Sequence, residues 1–409
     1  MDDVADRAKA AGLKATHSIQ RLEFSSTLNE RDYRLVEIPE NLIESLRDGE
    51  HFAIRGDPSE DAVLCTRSQS YEIKVVDVSN TMLLAPSLGS EGDVAKGEVD
   101  PLFVPFLPSP RRAFLSAKIP GVANCYYELK RCQPRLEKLD RILKDCAYKG
   151  PDEEKASTNK GVKYYVQVPT QYFYYSYLKY LVEELLREVQ ASEDEVELGL
   201  RQRNAFCVNL RWRVLDDGYE ERVVMAILGL IDDKQWSYAH LRVSEVYAEL
   251  AGDYPPFVLK HCLDCYGFQK NEDPDFYSLN ELKVCQFYGE YLLKAAGKFS
   301  YEDFMNSWQQ SVPSGMTTDI SQLKGLALWD LDAQPPVIWH YAARDLPRNA
   351  TQRFATLFKT KPKWRLEDLE PYISDLASDK QSMNALLLKY ARTSTDNRGG
   401  KLYNSKRPL

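Results

Sequence analysis

Tyr71, Ile73 and Val75 alternate with Glu72 and Lys74, a period of two that predicts a half-buried strand. Residues 51–55 and 62–65 flank the polar run Gly56–Asp61 and read as a hairpin, and Leu42–Leu46 as one short helix. The Arg55-Gly56-Asp57 triplet falls in that turn and is read as the turn alone. Residues 86–112 are rich in Pro, Gly and Ser and keep no period, as a loop or linker does. Leu136, Leu139 and Leu143 place a helix over residues 134–146. The polar run 147–162 is expected to be a hinge that closes a β-rich unit near residue 150.

Helical spacing dominates the second half. Val182, Leu185, Leu186 and Val189 share one face, and Ser192 with Glu195 has the spacing of a capping box. Val208, Leu210, Trp212 and Val214 alternate as one strand, closed by Asp216-Asp217-Gly218. Helices are predicted around Val243–Leu250 and over Pro256–Tyr266, the latter ended by Gly267, with a brief strand at Phe276 and Tyr277. Ser278 with Glu281 reads as a second capping box for a helix closed by Gly297, and Ser300 with Asp303 opens another. Residues 326–329 and 337–341 form a predicted hairpin. Leu366, Leu369, Ile373 and Leu376 mark one helix, and Met383, Leu386, Leu387 and Tyr390 the next. The turn 396–400 and the strand at Leu402-Tyr403 follow.

Helix, helix, hairpin is the outline of a winged helix. The expected fold class is α+β, an N-terminal β-rich domain followed by tandem winged-helix domains. The expected divisions are 1–150, a hinge with an aromatic segment over 151–180, winged-helix-like units at 181–270 and 271–345, and a C-terminal winged helix at 346–409.

Composition adds constraints. The 409 residues carry a net charge of −8, but residues 351–409 hold twelve Lys/Arg against six Asp/Glu. That tail is therefore +6 and residues 1–350 are −14, a basic end on an acidic body suited to local contact with nucleic acid. Lys389, Arg392, Arg398, Lys401, Lys406 and Arg407 lie on the last helix, turn and strand and are the candidate phosphate contacts. No run of about 18 apolar residues is present, so no membrane-spanning helix is expected. The N-terminus lacks an apolar signal core, which points to the cytosol or nucleus.

Catalytic motifs are missing. There is no Gly-rich phosphate loop, no dinucleotide fingerprint, no His-Glu-x-x-His and no nucleophile elbow, and the five histidines are dispersed. Cys262 and Cys265 form a lone Cys-x-x-Cys beside His261. Because Val258, Cys262 and Cys265 share one helical face, core packing is expected rather than metal or thiol chemistry. No enzyme, metal or cofactor is expected.

Several strings carry a family resemblance: Ile-Arg-Gly-Asp at 54–57, Tyr-Glu-Ile-Lys-Val-Val-Asp at 71–77, His-Cys-Leu-Asp-Cys-Tyr-Gly at 261–267, Ser-Trp-Gln-Gln-Ser-Val-Pro at 307–313 and Leu-Tyr-Asn-Ser-Lys-Arg-Pro at 402–408. In this order they resemble the Dcc family of sister-chromatid-cohesion proteins. The resemblance implies a non-catalytic subunit of an alternative, replication-factor-C-like clamp loader in the nucleus. Its N-terminal part would share a β-barrel with a small Ctf-family subunit and the tail of the large Ctf-family ATPase subunit. Its winged helices would dock on the catalytic subunit of DNA polymerase epsilon and contact DNA, and the assembly would act on PCNA. The alternative from the residues alone is a helix-turn-helix transcription or chromatin regulator. Residues 166–180, with six aromatic side chains and Lys179 as their nearby cation, have no counterpart in the resemblance. They are read as an insertion rather than a base-stacking platform.

Overall fold

The computed structural model describes residues 10, 20–26, 33–85, 115–158, 181–208, 211–270, 273–377, 379–395 and 399–406. The expected loop at 86–112 and the aromatic segment 166–180 lie outside these residues. The chain is a mixture of helices and several small sheets, divided into two compact units. One comprises residues 1–51 and 71–131, the other residues 52–70 and 132–409.

In the first unit, β1 (Gln20–Phe24) pairs in parallel with β6 (Leu115–Ile119). Separately, β2 (Val36–Glu37), β7 (Gly121–Cys132) and β5 (Ser70–Leu84) lie side by side in that order. Helix α1 (Glu40–Arg47) supplies the buried Leu42. Little else is covered: among the described residues of this unit, the buried large apolar side chains are Leu42, Tyr71, Ile119 and Leu129. Leu22, Phe24, Val36, Val75 and Leu83 are exposed. The strand at Tyr71 and Ile73 forms as expected, but Val75 does not keep to the covered face. From residue 75 the half-buried positions are Val76, Val78, Met82 and Leu84, so the in–out alternation changes face in mid-strand.

In the second unit, β3 (Ala53–Arg55) and β4 (Val63–Cys65) form the expected antiparallel hairpin. Its Arg-Gly-Asp turn is pinned in place. The Arg55 Nη1 donates to Leu186 O at 2.5 Å, and Asp57 pairs with Lys138. Gly56 sits at φ 143°, where a Cβ would meet Gln190 Nε2 at 2.6 Å. Helix α2 (Glu137–Asp145) buries Leu139 and Leu143. Residues 147–162 are not a continuous hinge: Pro151–Thr158 form helix α3, because Pro151 suits a first helical turn and Asp152, Glu153 and Glu154 complement its positive end. Helical residues 181–188 and α4 (Glu193–Gln202) complete a small core with α2, and Ser192 and Glu195 make the full reciprocal capping box.

The single strand expected over 208–214 is two strands, β8 (Phe206–Val208) and β9 (Arg211–Arg213). They are antiparallel with Val208 opposite Arg211, so two residues connect them. Asp216-Asp217-Gly218 does not close a strand but opens α5 (Asp217–Asp233). The periodic reading did not anticipate this helix, although Val223, Val224, Ile227, Leu228 and Ile231 carry its buried face.

From α5 onward one topology occurs three times: helix, short strand, helix, a further helical turn or helix, then a hairpin. The first repeat is α5, β10 (Leu241–Arg242), α6 (Val243–Leu250), α7 (Pro256–Tyr266), β11 (Gly267–Gln269) and β12 (Phe276–Leu279). The second is α8 (Glu281–Ala296), β13 (Lys298–Ser300), α9 (Tyr301–Ser311), a 3-10 turn at Ile320–Leu323, β14 (Ala327–Asp330) and β15 (Val337–His340). The third is α10 (Ala350–Thr360), β16 (Lys363–Trp364), α11 (Leu366–Leu369), α12 (Lys380–Tyr390), β17 (Ala391–Thr395) and β18 (Lys401–Ser405). Each three-stranded sheet puts the lone first strand beside the last: β10-β12-β11, β13-β15-β14 and β16-β18-β17. One apolar core runs through the first two repeats, and a second core serves the third.

Three capping and helix expectations need correction. Ser278 belongs to β12, and α8 is capped by Asn280, whose side chain accepts from Lys283 N at 3.2 Å. Ser300 stands before α9 without a side-chain cap bond. The helix expected over Leu366–Leu376 stops after one turn and continues as 3-10 turns at Glu370–Tyr372 and Ser374–Leu376. Pro371 is the cause: it has no N–H, and its ring would strike the carbonyl four residues back.

Candidate nucleic-acid interface

The last hairpin is organised by its pleat. Trp364, Tyr403 and Thr393 are matched across β16, β18 and β17, and Trp364 and Tyr403 are buried, so this row faces the core. The neighbouring row therefore faces outward. It consists of Lys363, Asn404 and Arg392, with both cations exposed. Lys363 was missed in the sequence. The signal for it was its place next to Trp364, since a tryptophan turned inward in a strand turns its neighbour outward.

The six sequence candidates do not occupy one face. Arg392 lies in the outward row. Lys401 is opposite Thr395 at the hairpin tip, in register with the other face, and its ammonium lies over the Tyr403 ring at 5.1 Å. Lys389, in the last turn of α12, lies over the Tyr390 ring at 5.2 Å. Lys406 donates from Nζ to Leu388 O at 3.0 Å, and its backbone N–H reaches Tyr390 O at 3.1 Å. Lys406 thus caps carbonyls at the negative end of α12 and ties the returning strand to it. Arg398 and Arg407 lie outside the described residues. The geometry places Lys363 and Arg392 in one outward row on either side of Asn404, with Lys401 at the tip and Lys389 at the helix end.

A buried arginine holds this repeat in shape. Arg353 of α10 is 1% exposed. It donates to Pro347 O at 2.6 Å, Tyr372 O at 3.0 Å, Leu346 O at 3.3 Å and Asp375 Oδ1 at 2.6 Å. The Tyr372 hydroxyl donates to Ala327 O at 2.9 Å, joining the turns after α11 to β14.

The Cys-x-x-Cys lies on α7 as its helical spacing predicted. Cys262 and Cys265 are both buried, and Cys265 Sγ is 3.5 Å from His261 Nε2. Burial raises both thiols, Cys265 to about 12, and lowers His261, so the pair favours neutral, unreactive forms. Among the described residues, no group of three or more His, Cys, Asp or Glu is placed to hold a metal ion. No described helix is long and apolar enough to cross a membrane. The hollow lined by Lys324, Gly325, Trp329, Lys361, Asp368 and Tyr372 has about 10 Å³ of room, about that of a single water.

Comparison with known proteins gives a consistent result. The family described as Sister chromatid cohesion protein Dcc1 matches residues 33–373. The Sister chromatid cohesion protein DCC1 of Xenopus tropicalis is 37% identical over 396 residues, covering 96% of this chain and 94% of that protein. Its counterpart in Danio rerio is 36% identical over 390 residues, covering 95% and 93%. That in Mus musculus is 36% identical over 413 residues, covering 99% and 96%. A match of this extent, on a chain whose own strings resembled the same family, places the protein in the Dcc1 family of sister chromatid cohesion proteins.

Proposed function

We propose that this chain is a non-catalytic adaptor of an alternative PCNA clamp loader, acting in the nucleus in support of sister chromatid cohesion. The observation that carries the reading is the family match over residues 33–373. The first unit would join a small Ctf-family subunit and the large Ctf-family ATPase subunit in a shared β-barrel. Its exposed apolar positions and few buried ones support this, because strands with uncovered apolar faces and open edges recruit other chains. The three repeats would be winged helices, supported by their common strand order. They would dock on the catalytic subunit of DNA polymerase epsilon and contact DNA. ATP hydrolysis would lie with the other subunits. The adaptor's contribution is then positional, raising the local concentration of the loader at the primer end.

The third repeat is the proposed DNA contact, through Lys363, Arg392, Lys401 and Lys389, with Lys406 holding the wing to its helix. The triple variant Lys363→Ala, Arg392→Ala, Lys401→Ala should weaken binding to duplexes of any sequence. The slope of log K against log salt should become shallower by about 0.9 for each DNA phosphate that is no longer neutralised. Fluorescence anisotropy across a salt series measures both. An unchanged slope with intact folding would remove the DNA-contact assignment and leave the docking role.

A further inference from the structure

We propose that Thr395 is a phosphorylation site for arginine-directed protein kinases, and that its phosphate withdraws the wing from nucleic acid. The second half rests on the reading of the wing as a phosphate-binding surface, whereas the first half does not.

Kinases of this class recognise an arginine three residues before the acceptor, because a carboxylate-lined substrate groove grips a guanidinium bidentately. The spacing Arg-x-x-Ser/Thr occurs four times in the chain, at Arg67–Ser70, Arg348–Thr351, Arg353–Thr356 and Arg392–Thr395. The structure separates them. Ser70 is fully buried and donates to Glu195 Oε2 at 2.5 Å. Thr351 and Thr356 lie within helix α10. Arg348 is held by Asp140 at 2.5 Å, and Arg353 is the buried arginine with four acceptors. In contrast, Arg392 and Thr395 are both exposed, on β17. This strand is already extended and lies at the edge of its sheet, the backbone form in which a groove receives a peptide. Thr395 is its last residue.

In the reaction, Thr395 Oγ attacks the γ-phosphorus of ATP. The new Oγ–P bond forms as the bond from that phosphorus to the ADP oxygen breaks, and the hydroxyl proton passes to the kinase's catalytic carboxylate. Thr395 is paired across the hairpin with Lys401. A phosphate there brings about −1.5 to −2 charges beside a proposed DNA contact, and a cation paired with it is no longer available to a DNA phosphate.

The full chain should be incubated with ATP and the catalytic subunit of cyclic-AMP-dependent protein kinase, and the modified residue located by mass spectrometry. One phosphate on Thr395, absent in Thr395→Val, is the expected result. No incorporation, or phosphate on other residues only, overturns the site. Duplex binding is then compared for the unmodified chain, the phosphorylated chain, Thr395→Val and Thr395→Glu, each checked for a native melting curve. The unmodified chain and Thr395→Val should bind alike. The phosphorylated chain should bind about tenfold more weakly at low salt, with a shallower salt slope, and Thr395→Glu should shift the same way. Equal binding by unmodified and phosphorylated chains overturns the switch alone. If the unmodified chain does not bind duplex, the reading of the wing fails and the switch falls with it, while the mass-spectrometric result still decides the site.

Discussion

Replacing Arg353 by methionine should destabilise the third repeat by about 3–5 kcal/mol, the low end of the cost of leaving three backbone carbonyls without their donor. Methionine fills much of the same volume, so the loss comes mainly from polar groups left behind. Leu346 O, Pro347 O and Tyr372 O would each lose a donor, and an unpaired buried acceptor costs about 1–3 kcal/mol. Asp375 contributes less, because its side chain is 49% exposed and water can replace the guanidinium. Arg353→Lys should recover only part of the stability, since one ammonium cannot satisfy a forked set of acceptors. Chemical denaturation of the full chain, with hydrogen exchange over residues 346–405, provides the measurement. A methionine variant within about 1 kcal/mol of the parent would show that the network contributes little net stability.

The second large effect is expected at Trp308. Its side chain is fully buried, stacks on Phe304 with ring centroids 5.4 Å apart, and donates from Nε1 to Cys285 O at 2.8 Å. Gly289 is pressed against it: a Cβ there would lie 3.1 Å from the indole and 2.8 Å from Leu323. Trp308→Ala should cost about 3–5 kcal/mol through reduced apolar burial and the cavity it leaves. The location of the loss is the sharper test. Because one core runs through the first two repeats, exchange protection should fall together in α5 and α8. Protection retained in α5 while α8 opens would show that the two repeats are separately stable.

Much of this arrangement was legible from residue spacing, and the failures have identifiable physical causes. Pro256–Tyr266 was bounded correctly because proline begins the helix and Gly267 follows its end. The Ser192–Glu195 box closed because both side chains had backbone partners within one turn. Ser278 and Glu281 have the same spacing, but pairing with β11 and β10 extends the strand through Leu279, leaving Asn280 to cap. Tertiary pairing thus overrode a local signal. Alternation from 208 to 214 hid a reversal: with Val208 opposite Arg211, Val208 and Trp212 fall on opposite faces of the hairpin although the sequence puts them in phase. The basic C-terminal hairpin was visible as charge. Its division between two faces was not, since it depends on which residue of each strand pairs with Tyr403. Lys406 illustrates the remaining limit: a terminal lysine reads as a free cation until its ammonium is found on Leu388 O.

The most direct test of the adaptor reading is the company the chain keeps in dividing cells. The full-length chain, tagged at one end, would be purified from nuclei after mild cross-linking and its partners quantified by mass spectrometry. The account predicts recovery in constant proportion with the large ATPase and small subunits of an alternative clamp loader, with DNA polymerase epsilon co-enriched. Deletion of residues 1–51, which belong wholly to the first unit, should abolish the loader subunits. Recovery of the chain alone, or as a self-associating chromatin protein without clamp-loader subunits, would contradict it.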